Sequence, residues 1–458
     1  MEKRSITDFR QYFQHEVLNQ GSPNQVLTGV STDSRTYQSS DAFLALAGDT
    51  FDGHEFVKSV LEKKASAIII QRNYWENIKN NIHHPVWIFG VEDTLQTYHE
   101  IARNYLKSLP GLKKVAVTGS SGKTTTKEII RALLSTRYKT QANTGNLNNR
   151  FGVPKTALDI HSDTEIAIFE MGMGAPGDIE KLAWIVLPDV GCITSIGEAH
   201  IEFFDSLEGI ALTKKGIFKY FDEKCYAVVN PEEQLYSILI QDINGKIIPI
   251  DKNIIKIIDN LGVNGYKLKV RDKEVLFSLG GGHNITNLCS GIAVGEIFGL
   301  SVEEIIQGIQ NIEIPGMRNK VQEGEYTILL DCYNANPSSM RASLTYFDCL
   351  PLKEKDSKKV AVLADMLELG RESDRFHREI GEFIVANCPS LDYLFTFGEK
   401  GEKIAEGAFN KGFNPEKIFS YLDKEKLMNQ LKKIISRGDA VLFKASRGMR
   451  LEDIAERI

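Results

Sequence analysis

A strand, a loop of small residues and a helix follow one another in the stretch KKVAVTGSSGKTTTKEIIRALL, which begins at Lys113. The apolar run KVAVT predicts a strand. KTTTKEIIRALL predicts a helix whose first turn directs backbone N–H groups and a partial positive charge at the loop, which is the arrangement that binds phosphate. The loop is one glycine short of the pattern G-x-x-x-x-G-K-[ST], because Val117 occupies the first position.

The side chains of this loop suit a nucleotide with several phosphates. Lys123 would reach the β- and γ-phosphates, and the Thr124 hydroxyl would ligate Mg²⁺. A Gly-Ser turn with a surface lysine is the alternative, and the strand before and the helix after the loop disfavour it. The loop residues predicted to bind the nucleotide are Gly119, Ser120, Ser121, Gly122, Lys123, Thr124 and Thr125.

Two further polar side chains follow apolar strands. Glu170 ends the run TEIAIFE, and SIGEAHIEFF places His200 in the loop after another predicted strand. Ligands of α/β sheets bind at the carboxyl ends of strands. Alone, such a Glu is more often a helix cap or an ion-pair partner, and such a His is usually solvated. Beside one phosphate loop, the pair predicts a metal site.

Apolar runs alternate with helical stretches along the chain, and this alternation indicates parallel sheets covered on both faces. The 458 residues are too many for one core. Pro110-Gly111 follows the helical stretch 94–109, and EIPGMR at 313–318 makes a second break. The predicted fold is three α/β domains, with bounds 1–110, 111–314 and 315–458.

Bulk composition excludes several classes of partner. With 55 basic and 61 acidic residues and no block of like charge, the chain offers no electrostatic surface for nucleic acid. It also has no apolar run long enough to span a bilayer and no secretory signal, so we expect no membrane insertion. Six cysteines without a C-x-x-C pair indicate reduced thiols in a cytoplasmic protein.

Several motifs, in order, carry a family resemblance: TGSSGKTTTKE, TGNLNNRFGVP, FEMGMGAPGDI, IGEAHIEFF, GGHNITNL and DCYNANPSSM. Together they resemble the Mur ligases of peptidoglycan synthesis. In that family the loop form T-G-x-x-G-K-T-T is the usual one, which accounts for the missing glycine. The resemblance implies a central ATP-binding domain between an N-terminal domain that binds a UDP-linked muropeptide and a C-terminal Rossmann-like domain.

The outer motifs imply which substrates are joined. STDSRTYQSSDAFLALAGDTFDGHEF resembles a uridine-nucleotide-binding segment. YNANPSSM, ADMLELG and KASRGMRLE resemble the family member that joins D-alanyl-D-alanine to UDP-N-acetylmuramoyl-tripeptide. The D-N-P-R signature of the diaminopimelate-adding ligase is absent from the sequence.

The resemblance also implies chemistry. The tripeptide carboxylate would attack the γ-phosphate of ATP, and the amine of D-alanyl-D-alanine would displace phosphate from the resulting acyl phosphate. Two Mg²⁺ ions and a carbamylated lysine would assist, and the register A-x-x-K-x-x-I-F in GIALTKKGIFKYF selects Lys214 over Lys215. The implied catalytic residues are Lys123, Lys214, His200 and Arg318. The implied metal ligands are Thr124, Glu170, His200 and Lys214.

The remaining site residues follow from the same resemblance. Asn287, Arg318 and Asp331 would contact the nucleotide or its phosphates. Asn336 and Ser339 would face the nucleotide and the incoming dipeptide. The residues implied to contact the muropeptide are Asn146 and Asn149, and those implied at the UDP end are Ser31, Asp33, Ser34, Arg35, Asp52, Gly53 and His54.

Two alternatives stay open at this point. One is a sister amide ligase, either another Mur type or a folylpolyglutamate synthase. The other is a phosphate-loop nucleotide switch without ligase chemistry, although a switch has no need of the second metal that Glu170, His200 and Lys214 imply. Ala364 and Ala445 also depart from glycines that are common in the family. We expect the protein to be a monomer.

Overall fold

The computed structural model describes residues 1–48, 51–204, 206–316, 320–352, 354 and 356–458. The chain forms two compact units. The first consists of residues 1–116, 138–171 and 181–189, and the second of residues 117–137, 172–180 and 190–458. The three sequence-based domain bounds stay a prediction.

The first unit begins with a small α/β sheet. Its elements are β1 (Arg4–Ser5), α1 (Ile6–Phe9), β2 (Glu16–Asn19), β3 (Val26–Leu27), β4 (Gly29–Ser31), β5 (Asp41–Leu44), α2 (Val57–Glu62), β6 (Ala67–Gln71), α3 (Trp75–Ile78), β7 (Trp87–Val91) and α4 (Thr94–Ser108). Five strands pair in the order β2-β7-β6-β5-β4, all parallel except β2. Apolar residues of the strands and of α2 form a buried cluster on this sheet.

Helix α4 confirms the helix predicted over 94–109. Asp93 caps it, because its Oδ1 accepts from the Gln96 N–H at 2.9 Å. Tyr98, Ile101 and Tyr105 are buried along one face at spacings of three and four residues. This amphipathic pattern is the signal that predicted the helix.

The middle of the chain contains the predicted phosphate-binding segment. Its elements are β8 (Lys113–Thr118), α5 (Lys123–Leu134), β9 (Thr140–Ala142), α6 (Gly152–Leu158), β10 (Ile166–Glu170), α7 (Asp178–Val186), β11 (Val190–Ile193), α8 (Leu207–Lys215), β12 (Tyr226–Val229), α9 (Tyr236–Ile240) and β13 (Lys246–Pro249). In the first unit β9 and β10 pair in parallel. In the second unit β11, β12 and β13 pair in parallel. The predicted strand–loop–helix over 113–134 is confirmed.

Helix α5 packs against other helices of the second unit. The next elements are β14 (Ile255–Asn260), β15 (Tyr266–Val270), β16 (Lys273–Phe277), α10 (Gly282–Ile297) and α11 (Val302–Gln310). Strands β14 to β16 form an antiparallel sheet, and α5 packs against α10 and α11. The α5–α11 contact is close, because a Cβ at Gly308 would lie 2.6 Å from the Leu133 Cα.

The C-terminal part of the second unit is a six-stranded sheet. Its elements are β17 (Lys320–Glu323), β18 (Thr327–Asp331), α12 (Pro337–Asp348), β19 (Lys359–Ala364), α13 (Ser373–Asn387), β20 (Tyr393–Phe397), α14 (Gly401–Asn410), β21 (Ile418–Tyr421), α15 (Lys424–Ile434), β22 (Ala440–Lys444) and α16 (Glu452–Ala455). The strand order is β17-β18-β22-β19-β20-β21. Only β17, at one edge, is antiparallel to its neighbour.

Both faces of this sheet are buried, because successive residues of a strand point to opposite sides. Leu329 belongs to a core with residues of α12, α13 and α14, whereas Ile328 and Leu330 belong to a core with residues of α15 and α16. The near-continuous apolar runs in the sequence follow from this two-sided burial. The α/β fold class is confirmed.

All six cysteines are free thiols, and four of them are buried. Across the part of the chain that the structure describes, every helix is too short or too polar to cross a bilayer.

A buried ion pair joins the carboxyl ends of β18 and β22, where Asp331 and Lys444 are register partners. Lys444 Nζ lies 2.7 Å from Asp331 Oδ2 and donates to the Asn334 carbonyl at 3.0 Å. Ser343 Oγ donates to the same carboxylate at 2.6 Å. Burial by itself would raise the pKa of Asp331, but Lys444 outweighs it, and the pKa lies below its usual value.

We expect Lys444→Met to lower the free energy of unfolding by about 3–5 kcal/mol, because it leaves the Asp331 carboxylate buried without a cation. Adding Asp331→Asn should recover most of this loss. Lys424→Met is the matched control, because it breaks an ion pair with the partly exposed Asp453 and should change little. Urea unfolding checks all three variants, and equal effects of the two lysine substitutions would contradict the assignment.

Candidate phosphate-binding site

The phosphate loop joins β8 to α5 through residues 119–122. Gly122 is the N-cap of α5, with φ of 81°, and no side chain caps the helix there. The first backbone N–H groups of this twelve-residue helix therefore point toward the loop. Together with the helix dipole, this is the arrangement for which the sequence predicts anion binding.

The segment after β11 holds this loop in shape. Ser120 Oγ donates to the Gly197 carbonyl at 2.8 Å and accepts from the Gly197 N–H at 2.9 Å. The Ser121 N–H donates to Ser195 Oγ at 3.0 Å. Gly119 approaches Thr194 so closely that a Cβ would lie 1.9 Å from Thr194 Oγ1. The loop therefore has little freedom to move away from this segment.

Lys123 folds back over the loop that it follows. Its Nζ donates to the Gly119 carbonyl at 2.8 Å, which places the ammonium group on the concave side of the loop. Thr124, in the same first helical turn, is buried. These two positions are those predicted for phosphate contact and for Mg²⁺.

Lys214 lies at the end of α8 and is 1 % exposed. Its Nζ has Met173 Sδ as a neighbour at 3.7 Å, and within the described ranges no carboxylate pairs with it. Burial lowers the pKa of the Lys214 amine well below its usual value, and the charge of Lys123 lowers it further. Lys215 is only partly buried. The two lysines therefore differ in burial, and the modification of Lys214 stays a prediction.

His200 lies a few residues further along the segment that follows β11 and contacts the phosphate loop. Its backbone is left-handed, with φ of 63°. Its Nδ1 lies 2.6 Å from Glu368 Oε2, and this contact lowers the pKa of the Glu368 carboxyl. The contact is not a well-directed hydrogen bond, because Nδ1 has no hydrogen-bonding partner among the described residues. Sequence reasoning found His200 but missed Glu368.

Asn287 lies on α10 directly against the loop. A Cβ at Gly122 would meet Asn287 Oδ1 at 2.7 Å, and Asn287 Nδ2 donates to Asn284 Oδ1 at 3.0 Å. One turn earlier on α10, His283 borders a cleft of about 270 Å³. The cleft is lined by Asn260, Tyr266, Gly281, Gly282, His283, Ala342, Thr345, Tyr346, Cys349 and Leu350.

Asn336 and Ser339 form the N-terminal cap of α12. Asn336 Oδ1 accepts from the Ser339 N–H at 2.8 Å, and Ser339 Oγ accepts from the Asn336 N–H at 3.0 Å. Asn336 Nδ2 also donates to Ser121 Oγ at 3.3 Å. The structure thus brings Asn336 to the phosphate loop, where the family resemblance expected it.

In the first unit, Glu170 is buried at the end of β10. Asn148 Nδ2 donates to Glu170 Oε1 at 2.8 Å, and Asn143 exchanges hydrogen bonds with the Glu170 backbone. The two asparagines predicted for the muropeptide lie elsewhere in this loop. Asn149 Oδ1 accepts from the Gly152 N–H at 2.9 Å at the start of α6, and Asn146 is exposed.

The predicted UDP end also lies in the first unit, in two loops. In the loop after β4, Arg35 pairs with Asp33 at 2.7 Å, Ser31 Oγ donates to the Asp33 carbonyl at 3.1 Å, and the Ser34 carbonyl accepts from Lys63. The exposed guanidinium of Arg35 is therefore held beside the loop backbone.

The second loop is built around His54. Its Nδ1 lies 2.6 Å from Asp52 Oδ1, and its Nε2 accepts from the Gln71 N–H at 2.9 Å. Gly53 packs on the backbone of Leu46 with no room for a Cβ. His54 is buried with both nitrogens engaged, so it shapes this loop, whereas Asp52 is half-exposed.

Two predicted features remain, Arg318 and the metal site. Arg318 lies outside the described residues. Among the side chains that the structure describes, no three His, Cys, Asp or Glu groups converge on a point that could hold a metal by themselves. Mg²⁺ commonly takes only one or two protein ligands together with phosphate oxygens and water. Ligation by Thr124, Glu170, His200 and Lys214 stays a prediction.

Comparison with known proteins covers the whole chain. Profiles described as "Mur ligase family, catalytic domain", "Mur ligase middle domain" and "Mur ligase, glutamate ligase domain" match residues 26–104, 117–295 and 317–447. The UDP-N-acetylmuramoyl-tripeptide–D-alanyl-D-alanine ligase of Bacillus subtilis (strain 168) is 35 % identical over 100 % of this chain and 98 % of its own length.

Solved structures agree with this result. The crystal structure of MurF from Acinetobacter baumannii superposes with a TM-score of 0.89 at 27 % identity, over 100 % of this chain and 99 % of that one. MurF ligase from Thermotoga maritima, solved in complex with ADP, gives a TM-score of 0.80 at 31 % identity, over 93 % and 96 % of the two chains.

We expect Gly122→Ala to weaken ADP binding roughly tenfold or more, because the methyl group meets Asn287 at the helix N-terminus; tenfold corresponds to about 1.4 kcal/mol. Gly111→Ala is the matched control. Gly111 has a similar φ of 74°, but a Cβ there has nothing within 4 Å, so it adds backbone strain without a clash. Calorimetric titration with ADP separates the two, and equal affinities would contradict the loop assignment.

Proposed function

This chain belongs to the Mur ligase family, and from that premise we propose that it is an ATP-dependent ligase that joins D-alanyl-D-alanine to UDP-N-acetylmuramoyl-tripeptide. The observation that carries the reaction class is the phosphate loop, with Lys123 folded over it and Asn336 donating to Ser121. The choice of substrates is supported by the likeness of the full chain to ligases that bear these substrates in their names.

In the proposed reaction, a tripeptide carboxylate oxygen attacks the γ-phosphorus of ATP, and ADP leaves with the electron pair of the broken bond. The amine of D-alanyl-D-alanine then attacks the acyl phosphate carbonyl, loses a proton and expels inorganic phosphate. Negative charge accumulates on phosphate oxygens in the first step. Lys123 and the N-terminus of α5 are placed to stabilise that charge without a nucleophilic side chain.

Mg²⁺ would supply charge neutralisation at the phosphates, and Thr124, His200 and Glu170 are the residues proposed to hold it. The Thr124 hydroxyl oxygen suits this hard cation, and His200 is included on the basis of the family resemblance. Glu170 is buried and oriented by Asn148, as a ligating carboxylate requires. For the nucleoside part of ATP, we assign the cleft beside His283, since Asn287 on the same helix touches the loop.

The N-terminal loops are proposed to bind the UDP end of the muropeptide. Arg35 and Asp52 offer exposed polar groups there, while His54 and Gly53 fix the loop between them. Asn146 and Asn149 are retained as muropeptide contacts on the basis of the resemblance. Arg318 and Asp331 are retained as nucleotide contacts on the same basis. The monomeric state and the cytoplasmic location stay predictions from the sequence.

Lys214 is proposed to carry a carbamate. Carbon dioxide reacts with a neutral amine, and burial, together with Lys123, favours the neutral form of Lys214. The product would be an anion where an ammonium group would repel both Lys123 and Mg²⁺. The carbamate oxygens would then be ligands of the kind that Mg²⁺ prefers.

The reaction itself is tested by phosphate release with ATP, UDP-N-acetylmuramoyl-tripeptide and Mg²⁺. We expect release to depend on D-alanyl-D-alanine, because the acyl phosphate needs an amine acceptor. Single amino acids and a folate with glutamate are the comparison substrates. Turnover with any of these alone would favour a sister ligase, and slow hydrolysis that ignores all peptide substrates would favour a nucleotide switch.

The Lys214 proposal has a test of its own. Lys214→Met should lower ligase activity by roughly 100-fold, since it removes a proposed ligand of the Mg²⁺ that would neutralise the reacting phosphate. In protein kept free of carbon dioxide it should also raise the free energy of unfolding by about 1–3 kcal/mol, because a buried amine whose recorded neighbour is the weak acceptor Met173 Sδ is replaced by an apolar chain. Lys215→Met is the control and should alter neither quantity much.

Carbon-13 NMR in labelled bicarbonate gives the direct readout. A carbamate resonance should be present in the wild type and in Lys215→Met and absent from Lys214→Met. A wild-type protein that is active without this resonance would disprove carbamylation at Lys214.

A further inference from the structure

Two motifs that carry part of the family resemblance, ADMLELG and KASRGMRLE, contribute none of the predicted site residues. They contain the loops that follow β19 and β22. The loop after β18 lies beside them, because β22 pairs in parallel with both β18 and β19. The carboxyl ends of the three strands therefore meet at one edge of the sheet, which is where α/β sheets bind their ligands.

Ser446 joins these three loops by hydrogen bonds. Its backbone N–H donates to the Asp365 carbonyl at 3.3 Å, and its Oγ accepts from the Leu367 N–H at 3.0 Å. The same Oγ donates to the Ala335 carbonyl at 3.5 Å. Ser446 is buried, so water does not compete for these contacts. The loop after β22 is therefore fixed to both of its neighbours.

Arg447, the next residue, is exposed and forms no ion pair with a carboxylate of the described residues. Its guanidinium carbon lies 5.5 Å from the centre of the Tyr333 ring, and this cation–π contact holds the planar group against the loop after β18. Arg450, which is also exposed, pairs instead with Asp453. A guanidinium that is oriented but unpaired presents a fork of N–H donors, and a carboxylate matches this fork with its two oxygens.

The surroundings of Arg447 suit a short apolar peptide. Leu367 on the neighbouring loop is 47 % exposed, and a Cβ at Gly448 would lie 3.1 Å from its Cδ1. At the end of the loop after β18, Asn336 Nδ2 donates to Ser121 Oγ of the phosphate loop at 3.3 Å. An exposed aliphatic side chain and a cation therefore lie side by side at a sheet edge that borders the phosphate loop.

We propose that Arg447 binds the terminal carboxylate of the incoming dipeptide and that Leu367 contacts the methyl groups of its two residues. The inference rests on the proposed function, because it assigns a site to the amine substrate of that reaction. At up to about 3.6 Å per residue, the amine and the carboxylate of an extended dipeptide lie about 7 Å apart. The amine can then attack the acyl phosphate while the carboxylate stays at the sheet edge. A single amino acid carries both groups on one carbon and cannot span this distance, so Arg447 selects for a longer acceptor.

The test compares D-alanyl-D-alanine with its C-terminal amide, which keeps the amine and both methyl groups but lacks the negative charge. Phosphate release with ATP and UDP-N-acetylmuramoyl-tripeptide gives kcat and KM for each acceptor. We expect the wild type to have a KM roughly 10- to 100-fold higher for the amide, because a charge-assisted contact is lost. Arg447→Met should raise the KM for D-alanyl-D-alanine by a similar factor, change kcat little and abolish the preference. Arg447→Lys should keep part of the preference, because it retains the charge without the fork. Leu367→Asn should raise the KM for both acceptors alike.

Arg450→Met is the matched control, since Arg450 belongs to the same loop but pairs with Asp453, and it should leave both KM values unchanged. Calorimetric titration with ADP checks that the phosphate site is intact in each variant. Arg447→Met that still prefers the carboxylate would overturn the proposal. So would a loss of ADP affinity in that variant, which would assign Arg447 to the nucleotide. Dipeptide-dependent turnover without any carboxylate preference in the wild type would refute this site alone, whereas turnover that ignores the dipeptide would refute the proposed function together with it.

Discussion

The hydrogen bonds that residues 195–200 make on two sides are the constraint on which the site depends. On one side Ser195 and Gly197 fix the shape of the phosphate loop. On the other side Glu198 and His200 contact the C-terminal part of the second unit. The segment is short, and it makes two contacts that leave no room for a Cβ, one between Ser195 and Gly119 and one between Gly197 and Ser338. A shift of the segment toward one neighbour would therefore disturb the other. Phosphate binding and the placement of the C-terminal helices are therefore linked through a few backbone atoms.

Buried ionisable side chains are the second recurring feature. The Asp331–Lys444 pair and Lys214 are accommodated in different ways. Asp331 and Lys444 neutralise each other across two parallel strands, with Ser343 and the Asn334 carbonyl completing the hydrogen bonds. Lys214 has no such carboxylate partner among the described residues, and its environment favours the neutral amine. Removing one partner of a buried pair is strongly destabilising, whereas a buried amine without a carboxylate partner lowers stability and is retained where its chemistry is used.

Much of the fold could be predicted because the spacing of apolar residues along the chain follows from which side chains are buried. The apolar runs of the parallel strands and the amphipathic α4 have the patterns that their burial requires. The antiparallel sheet β14–β16 was missed, although YKLKV alternates buried and partly exposed residues as a strand with one buried face does. The phosphate loop was found because both its flanking elements and its residue types are local in sequence.

The parts of the site that escaped prediction depend on contacts between distant loops. Glu368 meets His200 only because both backbones take the left-handed conformation, which no periodicity signals. In the run NLNN, the loop conformation decides that Asn148 reaches Glu170 while Asn149 caps α6. Residue type indicated polar contacts there, but the choice between neighbours is set by backbone geometry.

The two compact units interleave along the chain, which has a consequence for synthesis on the ribosome. The chain passes between the units five times, at 116/117, 137/138, 171/172, 180/181 and 189/190. The first unit needs residues up to 189, so it cannot be completed while only the N-terminal sheet has emerged. Domains usually fold in turn from the N-terminus as they leave the ribosome. Here the loop-bearing helix α5 is synthesised before either unit is complete, and it must wait for α10 and α11 before its apolar face is covered.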